Sequence, residues 1–64
     1  MRLRELREQK GCTQEYVAKA IGCSNVVYSR YEREEREPDI QTLCQLAKFF
    51  ETTTDEIIGY SKQK

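Results

Sequence analysis

Asn25, Val26, Ser29, Arg30 and Arg33 are the residues of this 64-residue chain best suited to chemistry with another molecule. Their spacing puts them on one side of a helix, with Val27, Tyr28 and Tyr31 on the other. Each suits a different atom on the edge of a nucleobase. Asn can pair in a bidentate way with adenine, Arg with guanine, and Val can lie on a thymine methyl. Ser29 can reach a base or a phosphate. On a lone helix the plainer reading is a set of solvated side chains, so the surrounding elements decide.

The stretch that carries them is TQEYVAKAIGCSNVVYSRY, Thr13 to Tyr31. It reads as two helices of about two turns each, too short to be stable alone. Thr13 suits an N-cap, and Glu15 sits where the helix dipole favours an acid. Val17, Ala18 and Ile21 form the inward side of the first helix. Gly22 can take the positive φ that ends it, and Ser24 can cap the next. A two-helix unit of this kind places its second helix in the major groove of DNA.

The flanks supply support. Leu3 and Leu6 mark a helix over about Arg2 to Gln9, closed by Gly11, with Cys12 as an apolar anchor. REEREPD is polar and aperiodic, so it reads as a loop ending at Pro38. Asp39 caps a helix from Ile40 to about Phe50, with a buried stripe of Ile40, Leu43, Leu46, Ala47 and Phe50. Thr53 and Glu56 have capping-box spacing before Ile57 and Ile58, and Gly59 ends that last short helix. The expectation is an all-α, compact five-helix domain over 1–59, with a polar tail at 60–64. Its core should draw on Leu3, Leu6, Val17, Ala18, Ile21, Tyr28, Tyr31, Leu43, Leu46, Ala47, Phe50 and Ile57.

Composition narrows the function classes. Eleven basic and eleven acidic residues give a formal net charge of zero. The charges are segregated: Arg2, Arg4, Arg7 and Lys10 dominate the start, while Glu32 to Asp39 is acidic. A basic face can survive a neutral total. There is no histidine, and Cys12, Cys23 and Cys44 lack zinc-site spacing; an odd count without a secretory signal reads as small buried apolar residues. No apolar run approaches the roughly 20 residues of a membrane span, so a cytoplasmic location is expected. An enzyme is disfavoured, because nothing supplies a metal constellation, a histidine or a Gly-rich phosphate loop. No cofactor, metal or small-molecule ligand is expected.

The chain resembles the Cro and phage-repressor type helix-turn-helix family, also called XRE-like. LRELREQKG, TQEYVAKAIG and SNVVYSRYE are similar to its first three helices. Pro38, Leu43, Leu46, Ala47 and Lys48 match its fourth, and TTDEIIG its fifth. The resemblance implies a lambda-repressor-like domain with the motif formed by helices 2 and 3. It implies base contacts from Asn25, Val26, Ser29 and Arg30. It implies a phosphate held at Gln14, with Ser24, Lys10, Lys19, Arg33 and Arg36 as further phosphate candidates. It also implies a partly buried ion pair between Arg7 and Glu32.

The chain departs from the family in its loop. Glu34 stands where a glycine is common, and a side chain is strained there if φ stays positive. Glu35 stands where a base facing phosphate is common, and Glu51 where a glycine often ends helix 4. Tyr16 with Val26 suggests an exposed apolar patch, suited to thymine methyls or to protein. The expected function is a sequence-specific DNA-binding transcriptional regulator, a repressor acting as a homodimer on a palindromic operator of double-stranded DNA. Phe49, Ile58 and Tyr60 look surplus to one core and are the expected dimer surface. The alternative is a protein-interaction module on the same fold without useful DNA affinity, motivated by the neutral charge and the acidic loop.

Overall fold

Capping chemistry sets the element boundaries in the computed structural model, which describes residues 1–59. The helices are α1 (Leu3–Lys10), α2 (Gln14–Ile21), α3 (Asn25–Glu32), α4 (Ile40–Phe50) and α5 (Thr54–Ile58). Hydroxyl or carboxylate oxygens of Thr13, Ser24, Asp39 and Thr53 accept from the backbone N–H three residues on, as the sequence predicts. The capping box at α5 is only half made. Thr53 accepts from Glu56 N, but the Glu56 carboxylate accepts instead from Arg2 Nη1 at 2.7 Å. With Arg2 N donating to Ile57 O at 2.7 Å, this ties the chain start to α5. Helix α1 accordingly begins at Leu3, one residue later than expected.

Four helices end in one hydrogen-bond pattern. A residue with positive φ donates to the carbonyl three back, and its successor donates to the carbonyl five back. The residues are Gly11, Gly22, Glu34 and Glu51, with φ of +78°, +79°, +61° and +57°. At the end of α3, Glu34 N reaches Tyr31 O at 3.1 Å and Glu35 N reaches Arg30 O at 2.9 Å. The family-derived expectation of positive φ at Glu34 therefore holds, and the same geometry recurs at Glu51.

The core is Leu3, Val17, Ala18, Ile21, Tyr28, Tyr31, Leu46, Ala47 and Ile57, drawn from all five helices. Leu6, Leu43 and Phe50 pack against it while only partly buried. Two expectations are corrected. Ile40 has the right angular position for the α4 stripe, yet it is exposed, because nothing covers that first turn. Cys44 is exposed, and Cys12 and Cys23 are half-buried. The cysteines are therefore not uniformly core residues. The expected tail at 60–64 lies outside the described residues. Among the described residues, no helix is long and apolar enough to cross a membrane, and no cluster of ligating side chains could hold a metal.

Glu51 offers a test of the left-handed helix end. A side chain at such a φ costs about 1–2 kcal/mol, against about 0.5–1 kcal/mol of extra chain entropy lost by a glycine. Glu51→Gly should therefore raise the melting temperature by roughly 3–6 °C, since ~1 kcal/mol shifts a domain this small by several degrees. An unchanged or lower midpoint in thermal circular dichroism would show that the turn is not strained.

Candidate nucleic-acid interface

Glu32 closes α3 and fixes its orientation. Arg7 of α1 donates through Nε to Glu32 Oε2 at 2.6 Å, and Gln14 of α2 donates through Nε2 to Glu32 Oε1 at 2.9 Å. A second Arg7 nitrogen donates to the Cys12 carbonyl at 2.9 Å, bracing the turn between α1 and α2. The side chains of Arg7 and Glu32 are only 15% and 4% exposed, so the expected ion pair is present and more enclosed than a surface bridge. Burial pushes the Glu32 carboxyl up. The hydrogen bonds from Arg7 and Gln14, with the nearby Tyr28 phenol adding to them, outweigh it and hold the group below its ordinary value. The bond to Glu32 raises Arg7 in turn. Burial drives the Tyr28 phenol far above its usual range, with Glu32 adding to the effect. That hydroxyl reaches no partner in good hydrogen-bonding geometry.

With α3 so held, Tyr28 and Tyr31 point inward and meet edge to face at a centroid distance of 6.5 Å. Asn25, Val26 and Arg30 stand exposed on the opposite side. Arg30 has no ion pair among the described residues. Ser29 is half-buried, and its Oγ accepts from Arg33 Nη1 at 2.8 Å. Arg33 also forks onto Glu35, with both bonds at 3.2 Å. The five-residue set read from the sequence thus divides into three free side chains and a closed Ser29–Arg33–Glu35 group.

The phosphate candidates divide as well. Gln14, Ser29 and Arg33 line one shallow depression with Arg7, Glu32 and Arg4. Arg4, which the sequence marks only as one of the basic residues of the chain start, is exposed and donates to Glu8 at 3.1 Å. Its i, i+3 spacing from Arg7 is the signal that places it there. Ser24 spends its oxygen on the α3 cap, accepting from Val27 N at 3.1 Å, and keeps a hydroxyl proton to donate. Arg36 is exposed in the loop. Lys10 and Lys19 lie elsewhere. Lys10 Nζ sits 5.3 Å over the Phe49 ring, and Lys19 lines hollows beside Tyr16.

The dimer candidates are also separated. Phe49 is half-buried, with its ring 5.0 Å from Phe50 and 6.0 Å from Tyr16. Tyr16 thus packs on α4 through Phe49, while Tyr16 and Val26 are both exposed. Ile58 is 41% exposed, and Tyr60 lies outside the described residues.

The helix-turn-helix family matches residues 3–57, which include all five helices but for the last residue of α5. The chain belongs to this family. It is 41% identical over 63 residues to the HTH-type transcriptional regulator AnsR of Bacillus subtilis, covering 98% of this chain and 54% of that protein. It is 38% identical over 58 residues to the HTH-type transcriptional regulator ImmR of the same organism, covering 91% and 46%. It is 33% identical over 61 residues to the cryptic phage CTXphi transcriptional repressor RstR of Vibrio cholerae, covering 95% and 55%. The chain thus spans about half the length of these relatives. No solved structure gives a significant match. These relatives are named for transcriptional regulation, none for an enzymatic activity.

Arg7→Ala should leave the enclosed Glu32 carboxylate with Gln14 alone and cost about 2–4 kcal/mol. A melting temperature within a degree of wild type would mean the pair is dispensable. The pH dependence has a definite sign. Glu32 titrates lower when folded than its ordinary value of 4.5. Its contribution is therefore complete above that pH and lost as pH falls through the folded value. Glu32→Gln should melt lower at neutral pH and show a shallower loss of stability below pH ~4.5. Exposed acids contribute equally to both proteins, so the difference reports Glu32.

Proposed function

We propose that this protein is a sequence-specific DNA-binding transcriptional regulator, with α3 entering the major groove. The observation that carries this reading is the exposed row of Asn25, Val26 and Arg30 on a helix whose other side is anchored by Tyr28, Tyr31 and the Arg7–Glu32–Gln14 bonds. A fixed helix with a free outer edge is what groove readout needs. Asn25 and Arg30 then serve adenine and guanine, and Val26 a thymine methyl. Ser29 accepts from Arg33 and keeps a hydroxyl proton to offer a base or a phosphate.

Backbone contacts follow from the same placement. Gln14 gives one amide proton to Glu32 and keeps another for a phosphate beside the N-terminus of α2. Ser24, Arg33, Arg36 and Arg4 add positioning contacts. Lys10 and Lys19 line other hollows and take no part in this depression, which leaves them the weaker phosphate candidates. Relatives named as transcriptional regulators, one of them a phage repressor, support repression by occupying a promoter. A single domain over 1–59 acting as a homodimer would place two recognition helices about 34 Å apart on a palindromic operator. Ile58 on α5 is the described residue best placed for that contact.

Selection of bound duplexes from a random pool tests the whole reading. A palindromic consensus is expected; failure to bind duplex even at low salt would favour a protein-interaction module. Within the selected site, Arg30→Ala should relax preference at one base position at a cost of ~1–3 kcal/mol, whereas a uniform loss would assign Arg30 to phosphate.

The Arg33–Glu35 fork predicts a second effect. Glu35 competes with phosphate for the same guanidinium. Glu35→Gln should strengthen binding to nonspecific duplex by about two- to fivefold at low salt, with the gain fading as salt rises. Equal affinities at low salt would show that the loop turns away from DNA.

A further inference from the structure

Tyr16, 59% exposed, sits at the centre of a face that DNA readout does not use. Two residues on from Gln14, it points about 200° around α2 from that phosphate candidate. Its ring packs on Phe49, and Lys10 Nζ lies over the Phe49 ring. Shallow hollows flank Tyr16, one reaching Lys10 and another reaching Lys19 and Ala20. Beyond Ala20, a further hollow lies between Lys48 and Phe49. None of these three lysines has an ion pair among the described residues. An aromatic centre ringed by unpaired cations has had only part of its binding capacity used within the chain.

We propose that this α2–α4 face docks an acidic segment of a partner protein, one with an apolar side chain flanked by carboxylates. The apolar side chain covers Tyr16 and Ala20, and the carboxylates meet Lys19 and Lys48. Charge decides the occupant. A second copy joined by a two-fold axis would bring this face against itself, three lysines from each copy with Glu15 as the one lining carboxylate to offset them, and a head-to-tail copy would leave an open chain of protomers. A nucleic-acid strand brings a negative charge at every nucleotide, and Glu15 lines the same hollow as Lys19. A peptide can put its carboxylates at the lysines and a neutral group beside Glu15. This surface lies apart from the α3 readers, so a regulator held on duplex through α3 would still present it.

The test selects random short peptides on the immobilised full chain. Enrichment of Asp and Glu around Phe, Leu or Trp is expected. An enriched peptide should lose about tenfold in affinity for Lys19→Ala/Lys48→Ala and for Tyr16→Ser. Nonspecific duplex binding by the same variants should keep its salt slope, because each lost phosphate contact would lower it by roughly 0.9. The lysine positions are exposed, so that variant should melt as wild type; Tyr16→Ser loses its packing on Phe49 and should still unfold cooperatively, a few degrees lower. No acidic enrichment, or equal peptide affinity for the variants, overturns the proposal. A reduced duplex salt slope also overturns it and returns the lysines to phosphate. Peptide binding that survives in a variant unable to bind duplex, such as Arg30→Ala/Asn25→Ala, separates this surface from the DNA reading.

Discussion

A single carboxylate, Glu32, joins three of the five helices. It belongs to α3, and its partners Arg7 and Gln14 come from α1 and α2. With its side chain only 4% exposed, Glu32 has little access to water and relies on those partners for its hydrogen bonds. The arrangement makes α3 orientation a property of the whole domain. Tilting α3 would cost a buried charge its hydrogen bonds as well as exposing Tyr28 and Tyr31. Apolar packing alone tolerates small rotations, because its energy varies gradually with position. Charged bonds at 2.6 and 2.9 Å do not, and readout of base edges needs that tighter tolerance.

The same carboxylate shows what was legible in the sequence. The Arg7–Glu32 pair came from the family resemblance, since residues 25 apart carry no local signal of contact. Gln14 was identified as a phosphate candidate, and its bond to Glu32 went unseen for the same reason. Helix limits were far more legible. Thr13, Ser24, Asp39 and Thr53 cap through bonds three residues long, which sequence spacing encodes directly. Ile40 marks the limit of periodicity as a guide. A stripe gives the direction in which a residue points, while burial depends on whether another element extends that far.

Side-chain alliances across the surface were the least legible part. Arg33 and Ser29 share the i, i+4 spacing of a helical pair, but α3 ends at Glu32 and only the turn geometry brings Glu35 onto the same guanidinium. That turn depends on Glu34 adopting a left-handed conformation that glycine usually supplies. Likewise Tyr16 and Phe49 meet because α2 crosses α4, and Lys10 joins them from the end of α1. Composition counted these residues correctly as apolar or basic. It could not assign them to faces.

That sorting resolves the apparent conflict between a neutral chain and a nucleic-acid partner. Glu32 is consumed in the interior, Glu35 by Arg33, and Glu34 by the amino group of Met1. Acids spent on internal pairs add little negative field at the outer face of α3, where Arg30 stands unpaired. The same pairs hold Arg7 on Glu32 and make Glu35 a competitor for Arg33, so the wholly free cations beside α3 are few. A reader with few phosphate contacts gains little affinity that is independent of sequence, since that component grows with each counterion released. Base-edge contacts then carry a larger share of binding, and discrimination rises relative to total affinity. In the proposed homodimer two copies on one DNA site would suit that balance, because linking two weak readers multiplies both affinity and specificity.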